Sequence, residues 1–253
     1  MNSLDIIKII EEFAPKDLAI EGDNIGLQVA YKNNLTKKVN NIGIALDPSL
    51  EVIKKAKENN VDFLFTHHPI LKDPIKTFTG TIYEKLKILT NNNITLYSAH
   101  TNLDICKNGL NDALVKLYNL KEVENLYSNG LGRIGLFNGS FLELLNITKK
   151  YICENPIIVD NPNIYKKNKL VVGVLSGYGL SQKTINYIIN HNRNIDLYIS
   201  GDLTHHSKII AEENNLAIID GTHYGTEVYG LKDFKKYIEN NVENNINVIS
   251  LDF

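Results

Sequence analysis

The sequence predicts an α/β protein of two lobes, each a mainly parallel sheet flanked by helices, with a metal site at the exits of its strands. Two observations carry that expectation. Short apolar runs alternate with amphipathic helical patterns, and the alternation occurs twice along the chain. Six of the seven histidines fall in four tight clusters, each following an apolar run that reads as a buried strand. The clusters are Thr66-His67-His68-Pro69, Ala99 to Asp104, Gly201 to His206 and Gly221 to Glu227. In an open α/β sheet, ligands collect outside the carboxyl ends of the strands.

The elements follow in order. Ser3 is placed to cap a first helix, with Ile6, Ile7, Ile10, Phe13 and Ala14 on one face and Pro15 as its stop. A strand over 41–46 leads through the Asp47-Pro48-Ser49 turn into a helix ending near Asn59. The 62–65 strand, the His67-His68 pair, a helix over 80–92, the 94–97 strand and the His100 loop come next. Another helix runs from Asn108 to about Tyr118. The stretch 122–133 is polar and Gly-rich, which places a domain boundary there. Beyond it the pattern predicts a helix over 140–153 and strands over 156–159 and 169–175. A helix over 181–192, the 197–199 strand, a helix and the 217–219 strand bring the chain to His223. A helix over 225–239 and a strand over 245–251 finish it. Residues 1–125 plus 222–253 are expected to form the first lobe, carrying most of the metal ligands, and 126–221 the second.

The 253 residues hold 27 basic and 29 acidic side chains, a net charge of -2, so nucleic acid and anionic membranes gain no electrostatic help as partners. No apolar run approaches the roughly 18 residues of a membrane span. Behind Met1 there is no recognisable secretory leader, and the two cysteines, Cys106 and Cys153, lie far apart. A cytoplasmic protein with reduced thiols is expected.

The chemistry lies in the clusters. Neighbouring side chains in a strand point to opposite faces, so His67 and His68 reach one site only if the chain turns there. Two adjacent histidines can then serve two ions in one pocket. Asp104 follows His100 by four residues, and a carboxylate can give one oxygen to each of two ions. His223 and Glu227 are spaced i, i+4, which puts both on one helix face. Taken alone, the His-His pair reads equally as an ordinary surface or core pair. His205 and His206 read either as a second-lobe contribution to the site or as solvent-facing residues at a helix start. Ser176-Gly177-Tyr178-Gly179 lacks a full nucleotide fingerprint and reads at least as well as a plain strand-to-helix turn. Asp23 and Asn24 read as loop braces.

Together the T-H-H-P, A-H-T-N-L-D and G-T-H-Y-G-T-E segments, with Asp23-Asn24-Ile25-Gly26-Leu27 ahead of them, resemble the NIF-three-like family, also labelled GTP cyclohydrolase type 2 homologues. The resemblance runs from the first helix to the last strand, in the form without an inserted domain. Two positions depart from the family pattern: Gly22 stands where Trp is common, and Ala30 where Gly is common.

The resemblance implies a dinuclear metal centre between two α/β lobes and a ring-shaped homohexamer. Carried over by motif, the metal ligands are His67, His68, Asp104, His223 and Glu227, with Asp104 and Glu227 able to bridge. His100 is expected at the site as a catalytic proton carrier. His205 and His206 are expected to face the cavity as substrate-binding residues. The cofactors implied are two divalent ions per chain, of Zn, Fe, Mn, Co or Ni, since imidazole with carboxylate suits all five. The function implied is a metal-dependent hydrolase of a nucleotide or related small molecule. A non-enzymatic adaptor, or a metal storage or delivery protein, is the alternative.

Overall fold

The computed structural model describes residues 1–191 and 194–253. These divide into two compact units, residues 1–107 with 232–253, and residues 108–231. The sequence expectation placed the divisions at 125/126 and 221/222. They lie earlier and later because the segment after 107 and the first turns of the last helix pack with the second unit.

The first unit holds α1 (Ser3–Phe13), β1 (Gly26–Val29), β2 (Asn41–Ala45), α2 (Leu50–Glu58), β3 (Phe63–Thr66), α3 (Gly80–Asn91), β4 (Thr95–Ser98) and α4 (Thr101–Ile105). The last strand, β11 (Asn247–Ser250), returns to it. The sheet order is β1-β4-β3-β2-β11, with β4, β3, β2 and β11 mutually parallel and β1 antiparallel on one edge. Every residue of β3 and β4 is buried, as expected for parallel strands covered on both faces. On one face Ala45, Leu64 and Leu96 pack with Val52, Ile53 and Ala56 of α2 and Leu89 of α3. On the other, Phe65 meets Phe234 at 4.7 Å between ring centroids, and Phe234 meets Phe13 of α1 at 5.4 Å.

The cap of α1 is Asn2 rather than Ser3. The Asn2 side chain accepts from the Leu4 and Asp5 amides while Asp5 accepts from the Asn2 amide, a reciprocal capping box. Ser3 is instead buried in the first turn.

The second unit holds α5 (Leu110–Leu117), β5 (Lys121–Asn125), β6 (Arg133–Asn138), α6 (Phe141–Tyr151), β7 (Ile157–Val159), β8 (Lys169–Val174), α7 (Gln182–Asn190), β9 (Leu197–Ser200), α8 (His205–Glu213) and β10 (Ala217–Asp220). The expected end of α7 at Asn192 lies outside the described residues. Its sheet, β5-β6-β8-β9-β10-β7, is parallel at β8, β9 and β10 and antiparallel outward of them. Strand alternation sorts two cores. Val172, Val174, Leu197, Ile199 and Ile219 face Leu114 of α5 and Phe141 and Leu144 of α6. Tyr198 and Ile218 face Ile185 and Ile188 of α7 and Ala211 of α8.

The last helix, α9 (His223–Asn241), contains the division at 231/232. Among the described residues no helix is long and apolar enough to cross a membrane, and neither Cys106 nor Cys153 is in a disulfide.

Candidate functional site

In the first unit the parallel register of β2, β3 and β4 brings their carboxyl ends to one edge of the sheet. The ladder continues past β3, with the His67 amide donating to Ala45 O at 3.2 Å and the His68 amide to Leu46 O at 3.0 Å. Thr66 fixes the step between the two histidines. Its hydroxyl donates to His68 O at 2.8 Å and lies 2.9 Å from the Ser98 hydroxyl on the neighbouring strand. His100 leaves β4 and sits at the N-cap of α4, where residue spacing had suggested only a loop.

Three imidazoles meet here. Ring centroids are 5.0 Å apart for His67 and His68, 5.1 Å for His67 and His100, and 5.5 Å for His68 and His100. One ligand nitrogen from each lies within 4.8 Å of the other two. Each ring is oriented through Nδ1. His67 Nδ1 is 2.9 Å from Ala99 O, His68 Nδ1 is 2.8 Å from Asp47 Oδ1, and His100 Nδ1 is 2.8 Å from Asp23 Oδ1. A carbonyl or ionised carboxylate oxygen only accepts, so in each case Nδ1 carries a proton, which leaves Nε2 as the atom that would bind an ion. That pairing of an outer acceptor with an inward nitrogen is typical of histidines that bind metals.

Asp104, on α4, places Oδ2 3.8 Å from His67 Nε2. Bonds of about 2.0–2.2 Å to one ion allow its ligand atoms to be up to about 4.4 Å apart, so the two atoms suit a common cation. His67 is wholly buried and Asp104 nearly so. Asn102, also wholly buried, anchors this helix: its Oδ1 accepts from the His100 amide at 3.0 Å and its Nδ2 donates to Ala14 O at 2.7 Å. Asp23 accepts from the Thr101 amide at 3.0 Å and the Thr101 hydroxyl at 2.5 Å as well as from His100. Burial pushes its carboxyl up, but these hydrogen bonds and the His100 charge outweigh burial and hold it at about 2. A cavity of about 350 Å³ lined by Gly22, Asp23, Asn24, Leu71, Lys72, Asp73 and Pro74 adjoins this carboxylate.

In the second unit His223 and Glu227 share one face of the first turn of α9, which begins at His223 itself. His223 Nε2 lies 3.1 Å from Glu227 Oε2, and His223 Nδ1 lies 2.6 Å from Asp202 Oδ2. The hydrogen bond to Glu227, opposed by burial and joined by Asp202, lifts the imidazole to about 9. Two glycines make room for this pair. A Cβ on Gly177, whose φ is +72°, would overlap the Glu227 carboxylate, and one on Gly201 would overlap the His223 backbone. Gly177 O accepts from the Gly179 and Gly201 amides and the Ser200 hydroxyl, while its N–H donates to Thr226 Oγ1 at 2.9 Å. The Ser176 to Gly179 turn is therefore a brace for α9.

His205 and His206 occupy the exposed first turn of α8, capped by Thr204, with their rings 5.4 Å apart. Among the described residues, no group of three possible metal donors includes either one. Sequence reasoning missed Asp47 and Asp202 as partners of histidines. The available signal was an acidic residue just past the strands ending at Ala45 and Ser200.

The whole chain, residues 1–253, matches the family described as Duf34/NIF3 (NGG1p interacting factor 3). A protein of Methanocaldococcus jannaschii named "GTP cyclohydrolase 1 type 2 homolog" is 62% identical over 253 residues, covering 100% of both chains. One of the same name from Clostridium acetobutylicum is 35% identical over 239 residues, 88% of this chain and 84% of that one. The solved structure "Reduced HcgD from Methanocaldococcus jannaschii" superposes with a TM-score of 0.94 at 62% identity, covering 100% of this chain and 98% of that one. The structure of TTHA1606 from Thermus thermophilus shares the fold, with a TM-score of 0.83 at 22% identity over 100% of this chain and 98% of that one.

Proposed function

The chain belongs to the Duf34/NIF3 family, and from that premise we propose that it is a dinuclear metal-binding protein acting as a metal-dependent hydrolase of a nucleotide or related small molecule. The observation that carries this reading is the convergence of His67, His68 and His100, each ring held by a hydrogen bond at Nδ1 and offering one nitrogen within 4.8 Å of the other two. Imidazoles held in that way beside a buried carboxylate suit a divalent transition ion better than a structural hydrogen-bond network.

In this reading His67, His68, Asp104, His223 and Glu227 would hold two divalent ions. Zn, Fe, Mn, Co and Ni all suit such donors. Bound there, such ions would supply a water nucleophile of lowered pKa. His100 moves protons at Nε2, and Asp23 stabilises its charged form from behind. His205 and His206 bind the substrate. The name carried by the relatives points to a purine nucleotide such as GTP, and the cavity of about 350 Å³ beside Asp23 falls within the size range of small-molecule pockets. The working form is a cytoplasmic homohexamer.

The test measures metal content per chain after anaerobic purification, for wild type and Asp104→Ala, with turnover of GTP and a panel of phosphoesters by the loaded proteins. About two ions per wild-type chain, falling in the variant together with turnover, is the expected result. Turnover that survives the loss of Asp104 overturns the mechanism. Metal retained with no turnover of any substrate favours storage or delivery of the ion instead.

A further inference from the structure

Just past β2, residues Leu46 and Asp47 hold His68 in two ways. Leu46 O accepts the His68 amide at 3.0 Å, and Asp47 Oδ1 lies 2.8 Å from His68 Nδ1. β2 itself ends at Ala45, so the Leu46 and Asp47 amides need acceptors beyond its ladder. Asp252 supplies them. The Leu46 amide donates to both Asp252 oxygens, at 3.1 and 3.0 Å, and the Asp47 amide donates to Oδ2 at 3.3 Å. A carboxylate offers two acceptor oxygens to this step, where a side-chain amide would offer one.

Asp252 is placed in turn by β11. The Leu251 amide donates to Ile44 O at 3.0 Å, which carries the pairing of β11 with β2 one step further. The Leu251 side chain packs in the core with Ala45 and Leu64, and Lys55 Nζ donates to Leu251 O at 3.3 Å. The residue before Asp252 is thus held through its amide, its side chain and its carbonyl. Burial raises the Asp252 carboxyl above the ordinary aspartate value in spite of the amides it accepts.

We propose that Asp252 is a positioning residue for His68: it fixes the Leu46-Asp47 backbone from which the Asp47 carboxylate takes the His68 Nδ1 proton. Neither oxygen of Asp252 needs to approach an ion for this. Partners behind a metal-binding histidine are worth about 10–100-fold in affinity, and Asp252 governs one of them at one remove. That consequence for ion binding rests on the metal-centre reading above, whereas the control of the ring does not.

The test is a double-mutant cycle on the full chain, combining Asp252→Ala with Asp47→Ala, on protein stripped with a chelator. Long-range proton–nitrogen NMR of the imidazoles reads the His68 Nδ1 nitrogen. Asp252→Ala is expected to shift or broaden that signal and to leave the signal of His100, which Asp23 holds, in place. In the Asp47→Ala background, Asp252→Ala should change His68 no further. Zinc titration of the same four proteins should show about a 10-fold loss from Asp252→Ala alone and no added loss beside Asp47→Ala. A His68 signal unmoved by Asp252→Ala overturns the proposal. Equal movement of His68 and His100 also overturns it, since that marks general loosening, and so does a further change in the Asp47→Ala background. If Asp252→Ala does not fold, Asp252→Asn takes its place. With one oxygen left for two amides it should move the same signal by less, and no movement overturns the assignment. Zinc that fails to bind even the wild type sinks the metal reading, while the ring signals still decide the role of Asp252.

Discussion

Asp202 accepts the Nδ1 proton of His223 at 2.6 Å from a backbone held at φ +65°. A non-glycine residue in that left-handed region is uncommon, and aspartate tolerates it better than most residues. The carboxylate is thus delivered to the back of the imidazole by a local conformation that few other side chains could replace. His223 in turn sits between two carboxylates, Asp202 and Glu227.

This arrangement predicts a pH dependence. The folded state holds His223 at about 9, against about 6.5 for a free histidine. A raised value stabilises the fold fully below about 6.5, and that stabilisation is lost as pH rises through about 9. The side chain is one-third exposed, so solvent screening leaves on the order of 1–2 kcal/mol. Chelator-stripped wild type should lose that much relative to His223→Gln between pH 6.5 and 9, measured by urea unfolding. Asp202→Asn should lower the His223 titration midpoint seen by NMR.

Gly177→Ala should damage the site through geometry rather than charge. An added Cβ meets Glu227 and adopts φ +72°, a conformation that costs a side chain about 1–2 kcal/mol. We expect a stability loss of about that size and weaker metal binding. Metal binding that equals wild type in Gly177→Ala contradicts the placement of Glu227 as a ligand.

Asp23→Asn should remove an acid-sensitive component of stability. The carboxyl is held at about 2 in the fold, below the roughly 3.9 of a free aspartate. A lowered value stabilises above about 3.9, and the gain is lost as pH falls through about 2. After discounting for partial exposure, the difference between wild type and variant should be on the order of 1–2 kcal/mol near neutrality. It should shrink on acidification below pH 4, as followed by denaturant titration across that range.

Asn102→Ala should act on His100 without touching a donor atom. It leaves the His100 amide and Ala14 O without their present partner in a buried setting, a loss of about 1–3 kcal/mol for each orphaned group. Thermal unfolding should report the loss. The His100 ring signals should broaden or shift while those of His191, at the end of α7, stay fixed.

Much of the fold was legible because its strands are short, apolar and buried, and because histidines at their exits stand out against them. The juxtaposition of His67, His68 and His100 follows from parallel register, which continuous runs such as Phe63 to Thr66 announce. The partners behind the histidines were not legible. Asp23 and His100 are 77 residues apart, and Asp47 and His68 are 21 apart; such spacings carry no helical or strand period. β5 was missed for a different reason. Its Lys-Glu-Val-Glu-Asn run is exposed throughout, so no burial pattern marked it, and a paired edge strand read as a linker. The start of α9 was misjudged by two residues because Gly225 looked like a boundary. It lies inside the helix, where a side chain would strike Ile152 O.

The sheet of the first unit closes only when β11 pairs with β2, joining Asn247 to Asn41 and Ile249 to Gly43. Residues 108–231 are a contiguous stretch with a sheet of their own. The earlier stretch therefore depends, for its final strand and for the Phe234 ring that covers Phe65, on residues that follow the whole of the second unit. Long-range closure of this kind is slow and leaves apolar surface exposed in the interval. A chain cut short before β11 would leave β2 without its outer neighbour, and one cut before Phe234 would also leave Phe65 uncovered.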